Sequence, residues 1–233
     1  MRSSRASPMY NDSPLLPDQR DFQYTYGQAY DIARRELAAL GDIEGQCRLS
    51  GTSCLIEGPT KAIVLSYLNE TYQISLPDAA IQRQGSRRPV PLQDKLLILH
   101  YFLRAKGSPL SHKLITYKEL TAGIAYYPTF YKRAVKPVVG CFGDRPQALI
   151  KAAQRLGGRQ VDYGDTAVTI DAFSRVSLTW VLWQGDSELS TEGSILFDST
   201  IADYLPTEDI AVLCQTVAWT LVRLAKKEEP QGG

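Results

Sequence analysis

Histidine is nearly missing from this chain, with only His100 and His112 in 233 residues. The four cysteines, Cys47, Cys54, Cys141 and Cys214, are scattered and form no C-x-x-C pair, which excludes a disulfide scaffold at this length. No segment approaches the ~18 consecutive apolar residues of a membrane helix. The first twenty residues, MRSSRASPMYNDSPLLPDQR, lack the apolar core of a signal peptide. The sequence therefore predicts a cytoplasmic protein with a disordered tail over 1–20, one domain over 21–227 and a second tail over 228–233. The phosphate-loop pattern, the G-x-S-x-G nucleophile elbow and the EF-hand loop are all absent.

A further lack is local: no Lys or Arg occurs between Val176 and Val222. Residues 81–159 carry fifteen Lys/Arg against three Asp/Glu, whereas residues 160–222 carry Arg175 alone against ten acids. The net charge of +1 thus hides blocks of +12 and −9. Such a split speaks of partners rather than fold. The blocks can neutralise one another, within the chain or across a homodimer. Alternatively the basic block holds an anionic ligand, with Arg87, Arg88, Lys132, Arg133 and Lys136 near Tyr126, Tyr127, Phe130 and Tyr131. Nucleic acid is the weakest partner, because no helix-turn-helix, zinc-finger or RNP pattern is present and the pI is near 7.6.

What is present reads as α+β, with antiparallel sheet packed by about five helices. Apolar spacing predicts helices over 22–40, 92–106, 129–139 and 145–156, and a long amphipathic C-terminal helix over 206–226. Pro137 is expected to end or kink the third of these. Strands are expected over 47–50, 52–57, 61–68, 71–76, 114–120, 160–163, 167–172, 177–183 and 194–197, with a hairpin turn at Asn69-Glu70. Residues 82–91 read as a basic linker.

Candidate chemistry centres on carboxylates. Asp186 and Glu188, with Asp198 after the next strand, could converge on a hard cation or run metal-assisted hydrolysis or group transfer, while Asp165 sits in a Gly-Asp turn and is the further acidic candidate. The same residues are also ordinary turn formers, and no metal is assigned. Trp180 and Trp183 are three apart, so on a strand they face opposite ways, one to the core and one outward. His100 lies inside an apolar helix and reads as a satisfied core residue; His112 reads as a solvated turn residue. Cys214 reads as a buried free thiol. The candidate ligand-binding residues are Trp183, Asp186, Glu188, Asp165, Asp198, Tyr127, Tyr131, Lys132 and Arg133.

The segments L-L-I-L-H-Y-F (96–102), F-G-D (142–144), L-G-G (156–158), Y-G-D (163–165), W-Q-G-D-S-E (183–188), I-L-F-D (195–198) and Y-L-P-T-E-D (204–209) occur in this order. Together they resemble an uncharacterised prokaryotic family, a domain of unknown function found largely in anaerobes. Some members of that family carry an added iron–sulfur module similar to one on corrinoid proteins. The resemblance implies a binding or accessory role toward an anionic ligand, a corrinoid or redox partner, or an iron–sulfur protein. Cys47 and Cys54 cannot supply the clustered thiolates of a four-iron centre, so any cluster would sit on a partner. The resemblance brings no catalytic residue and no cofactor. A structural protein that dimerises through its split charge is the third expectation.

Overall fold

The computed structural model describes residues 17–57, 60–186 and 188–228. Two helices open the chain: α1 (Pro17–Ala38) and α2 (Ile43–Ser50). Four strands follow: β1 (Ser53–Glu57), β2 (Thr60–Tyr67), β3 (Glu70–Leu76) and β4 (Ala80–Arg83). Next come α3 (Leu92–Arg104), β5 (Leu114–Thr116), a 3₁₀ turn (Tyr117–Glu119), α4 (Gly123–Phe130), a π-turn (Tyr131–Val135), α5 (Lys136–Phe142) and α6 (Pro146–Gln154). The chain closes with β6 (Arg159–Val161), β7 (Thr166–Phe173), β8 (Val176–Trp183), β9 (Glu192–Asp198), a second 3₁₀ turn (Ser199–Asp203) and α7 (Thr207–Glu228).

Among the described residues the strands form one antiparallel sheet, ordered β4-β3-β2-β7-β8-β9-β5, with β1 beside β2 and β6 beside β7. This is the expected α+β class, with several elements shifted. Residues 47–50 belong to α2 rather than to a strand. The Asp42 side chain caps the helix by accepting from the Gly45 N–H at 2.7 Å, and Gly51 ends it with a left-handed φ of 66°. The basic segment 82–91 is partly strand, because Ala80–Arg83 pairs with Tyr72–Ser75. The β2–β3 hairpin turns one residue earlier than expected, on Leu68 and Asn69, both with positive φ. Helix α1 starts at Pro17, inside the segment expected to be a tail; residues 1–16 and 229–233 lie outside the described residues.

Pro137 does not end its helix. The chain runs unbroken from α4 through the π-turn into α5, with the Lys136 N–H bonded to Tyr131 O five residues back and Pro137 in the first turn after it. A wider turn tolerates the missing donor where a regular turn would not.

The core lies on one face of the sheet. Val168, Ile170, Leu178, Trp180, Leu182, Ile195 and Phe197 point to it, and Ile210, Leu213, Cys214, Val217 and Leu221 of α7 belong to the same cluster, all essentially inaccessible. Trp180 is buried and Trp183 is 43% exposed, the opposite orientations that their spacing predicts. Cys214 is a buried free thiol, whose burial pushes its pKa up. The other sheet face carries a threonine pair, Thr169 and Thr179, bonded at 2.8 Å.

One place joins the two halves of the sheet. β2 meets β7 at the single pair Tyr67↔Phe173, reinforced by Leu68 N–H to Ala172 O at 3.0 Å. Phe173 stacks on Tyr101 of α3 with centroids 4.1 Å apart, and on Tyr67 at 4.9 Å. Tyr67 donates to Asp94 at 3.0 Å and Tyr101 donates to Ser50 O at 2.5 Å. Burial and the adjacent Asp94 carboxylate raise the Tyr67 pKa well above the ordinary tyrosine value, so its hydroxyl stays a donor.

Phe173→Ala is therefore expected to destabilise the fold by about 3–5 kcal/mol, the usual cost of emptying a buried aromatic site. Urea unfolding checks this; a loss below about 1 kcal/mol would show that the junction is not the keystone.

Candidate functional site

A cavity of about 480 Å³ opens between α1, α3, α4 and the start of α7. Its walls follow helical spacing. α4 and the π-turn present Ala122, Ala125, Tyr126, Phe130 and Arg133; α7 presents Thr207, Glu208, Ala211, Val212 and Gln215. Tyr26 of α1, Gln93 of α3 and Tyr117 of the first 3₁₀ turn complete it.

Local geometry holds these side chains in place. The 3₁₀ turn is fixed by a capping box, in which Glu119 accepts from both the Thr116 N–H at 2.7 Å and the Thr116 hydroxyl at 3.1 Å. Tyr117 then stacks on Phe130, centroids 3.9 Å apart and planes within 9°, and donates to Thr207 O at 3.3 Å. Residue 123 must be glycine for α4 to start so close, because a Cβ there would sit 1.9 Å from Tyr117 O. Behind the cavity, His100 and Asp209 clamp α3 to α7, with Nδ1 and Oδ2 2.5 Å apart and side chains only 18% and 12% exposed. His100 is thus the satisfied interior residue expected, with Asp209 as the partner that the sequence did not name.

The electrostatics of the walls are mixed. Burial raises the Tyr117 hydroxyl to a pKa of about 12, and the neighbouring Tyr126 and Glu208 add to it. Burial also raises Tyr26, together with Asp209 and Tyr126, and Arg133 acts in the opposite sense. Both phenols therefore remain protonated near neutral pH. The side chains of Gln93, Arg133, Glu208 and Gln215 make no hydrogen bond or ion pair with any described residue, although all four line the same space, Arg133 and Glu208 from exposed positions.

Of the nine candidate ligand-binding residues Arg133 alone lines this cavity, joined there by Tyr126 and Phe130 from the aromatic cluster read beside the basic block. Tyr127 is half-buried against Phe130 and Tyr131, with the Lys118 ammonium 4.2 Å from its ring centroid. Tyr131 is half-buried and Lys132 is exposed.

The acidic candidates lie elsewhere. Asp165 accepts from the Gln184 N–H at 2.7 Å, and Asp186 accepts from the Glu188 and Leu189 N–H groups at 2.8 and 2.9 Å. These bonds hold the Asp186 carboxyl below its usual range. Both carboxylates shape the turns beside Trp183, whose indole nitrogen lies over Gly164. Glu188 is exposed, and Ser187 lies outside the described residues. Asp198 stands at the opposite end of β9, six residues or about 20 Å from the Glu192 end. The four carboxylates therefore do not share one cleft. Among the described residues, no group of three or more His, Cys, Asp or Glu could hold a metal ion.

Asp198 instead ties two turns together. It accepts from Ser111 N–H and hydroxyl, His112 N–H, and Thr200 N–H and hydroxyl, at 2.7–3.1 Å. Partial burial pushes its pKa up, but the bonds from Thr200 and Ser111 outweigh this and bring it from 3.8 to about 2.

The basic and acidic blocks meet in places. Lys106 pairs with Asp203 and Arg159 with Asp171, each at 2.8 Å and exposed. Exposed pairs like these contribute little to stability.

Sequence reasoning missed Tyr26, Gln93, Tyr117, Glu208 and Gln215. One signal was available: Gln215 is the lone amide among the mostly apolar central turns of the last helix. Glu208 read only as a favourable charge at a helix start.

Fold and cavity together define an antiparallel α+β module with an open, largely apolar cavity of ligand size. Residues 46–219 match the family described as "Domain of unknown function (DUF3786)", and the chain belongs to that family. No curated protein and no solved structure matches. The match covers every cavity residue except Tyr26. No helix among the described residues is long and apolar enough to cross a membrane.

The Asp198 network carries a definite pH signature. Because its folded pKa lies below the unfolded one, its stabilisation is complete above the ordinary carboxylate value of 3.8 and is lost as pH falls toward about 2. Asp198→Asn should be less stable than the wild type near pH 7, the deficit shrinking toward pH 2 in urea titrations. A deficit unchanged across that range would contradict this role.

Proposed function

We propose that this chain is a binding module for a small ligand with an anionic carboxylate or phosphate group, held in the cavity between α1, α4 and α7. The observation that carries the reading is the convergence of four unpartnered polar side chains, Gln93, Arg133, Glu208 and Gln215, on walls of Tyr, Phe, Ala and Val. Small-molecule sites combine an apolar body with a few convergent polar groups, within roughly 300–1,000 Å³. The Arg133 guanidinium offers the planar donor fork that suits a carboxylate or phosphate. Tyr26, Tyr117 and Tyr126 offer ring faces and edges to a planar or apolar body.

A ligand of one or two rings suits a space of about 480 Å³ better than a corrin macrocycle does. On this reading, a corrinoid or iron–sulfur connection would run through a partner protein. The rival hydrolytic reading has less support, because Asp186 and Asp198 spend their oxygens on turn amides at opposite ends of β9.

Titration calorimetry with 3-phenylpropanoate tests the proposal. The wild type should bind it, Arg133→Ala should weaken binding by about tenfold or more, and Ala211→Trp should abolish it by filling the cavity. Equal binding by the Ala211→Trp variant would put the ligand elsewhere.

A further inference from the structure

We infer that the ligand of this cavity is a small zwitterion with an apolar, ring-sized body, of the kind represented by an aromatic α-amino acid; the inference rests on the cavity being the binding site. The carrying observation is that Arg133 and Glu208 line one space, bear opposite charges, and pair neither with each other nor with any other described side chain. Both residues are exposed, so each keeps its charge hydrated in the absence of a ligand, and neither is committed to a protein partner.

The charges also act on different walls. Glu208 is felt by Tyr117 and Arg133 by Tyr26, while Tyr126 is felt by both phenols. A ligand bearing only an anion would satisfy Arg133 while bringing like charge toward Glu208. A ligand bearing only a cation would meet the reverse conflict at Arg133. A zwitterion satisfies both, its carboxylate toward the guanidinium and its ammonium toward the carboxylate. Gln93 and Gln215 reinforce this choice, since each amide offers both donor and acceptor groups. The stacked Tyr117–Phe130 pair and the small Ala122, Ala125 and Ala211 leave the middle of the cavity to an apolar group.

Three probes sharing one ring separate the possibilities: L-phenylalanine, 3-phenylpropanoate and 2-phenylethylammonium, each titrated calorimetrically into the full chain at neutral pH. L-Phenylalanine should bind at least about tenfold more tightly than either singly charged analogue. Glu208→Gln should erase its advantage over 3-phenylpropanoate, and Arg133→Gln its advantage over 2-phenylethylammonium. Circular dichroism identifies any variant that fails to fold, and Glu208→Asp, which keeps the charge, should retain the preference.

If 3-phenylpropanoate binds as well as L-phenylalanine, the zwitterion inference is overturned while the anion-binding reading stands. If L-phenylalanine binds equally to Ala211→Trp, the cavity itself is refuted as the site. Failure of all three probes to bind overturns both.

Discussion

The arrangement of this protein depends on how two sub-sheets are joined. β1–β4 and β5–β9 meet through one residue pair, Tyr67↔Phe173, and one further backbone bond. So short a ladder has little strength of its own. The aromatic side chains around it supply the rest, because Phe173 is stacked between Tyr67 and Tyr101 and both hydroxyls are bonded inward. Tyr101 belongs to α3, so the same contact sets the height of that helix against the sheet. α3 in turn carries Gln93 to the cavity and His100 to Asp209.

The cavity follows from this frame. α7 lays one apolar stripe on the sheet and turns an adjacent stripe, Glu208, Ala211, Val212 and Gln215, toward α4. α4 cannot close onto it fully, since Gly123 brings its start hard against the Tyr117 turn while the π-turn adds width at its other end. Small residues at 122, 125 and 211 leave the gap unfilled. Packing that could have been completed by larger side chains is thereby interrupted at the place where polar side chains without a protein partner collect.

The charge split acquires a more modest meaning in three dimensions. β5 of the basic block pairs with β9 of the acidic block, and Asp198 and Asp203 bind groups from residues 106–112. Contiguous charge in sequence is interleaved in space at these points. The carboxylates that stood out most in sequence, Asp165, Asp186 and Asp198, are largely occupied with turn amides. Short carboxylates accept from nearby backbone N–H groups wherever a chain reverses, so their prominence reflects turn chemistry more than reaction chemistry.

Residue order alone determined the α+β class, the long C-terminal helix, the opposed faces of Trp180 and Trp183, the satisfied place of His100 inside its helix and the burial of Cys214. Each follows from a local period or from a short-range preference, and such signals are written within a few residues. It misread residues 47–50 as strand, because a side-chain cap at Asp42 overrode local propensity; of the end or kink expected at Pro137, the end is absent and a π-turn stands directly before it. Only the tertiary structure decided that Tyr26, Gln93, Tyr117, Arg133 and Glu208 share one cavity. These residues are separated by as many as 182 positions, and no periodicity connects them. Their meeting depends on the crossing of α1, α3, α4 and α7, and that crossing is set by packing on the sheet.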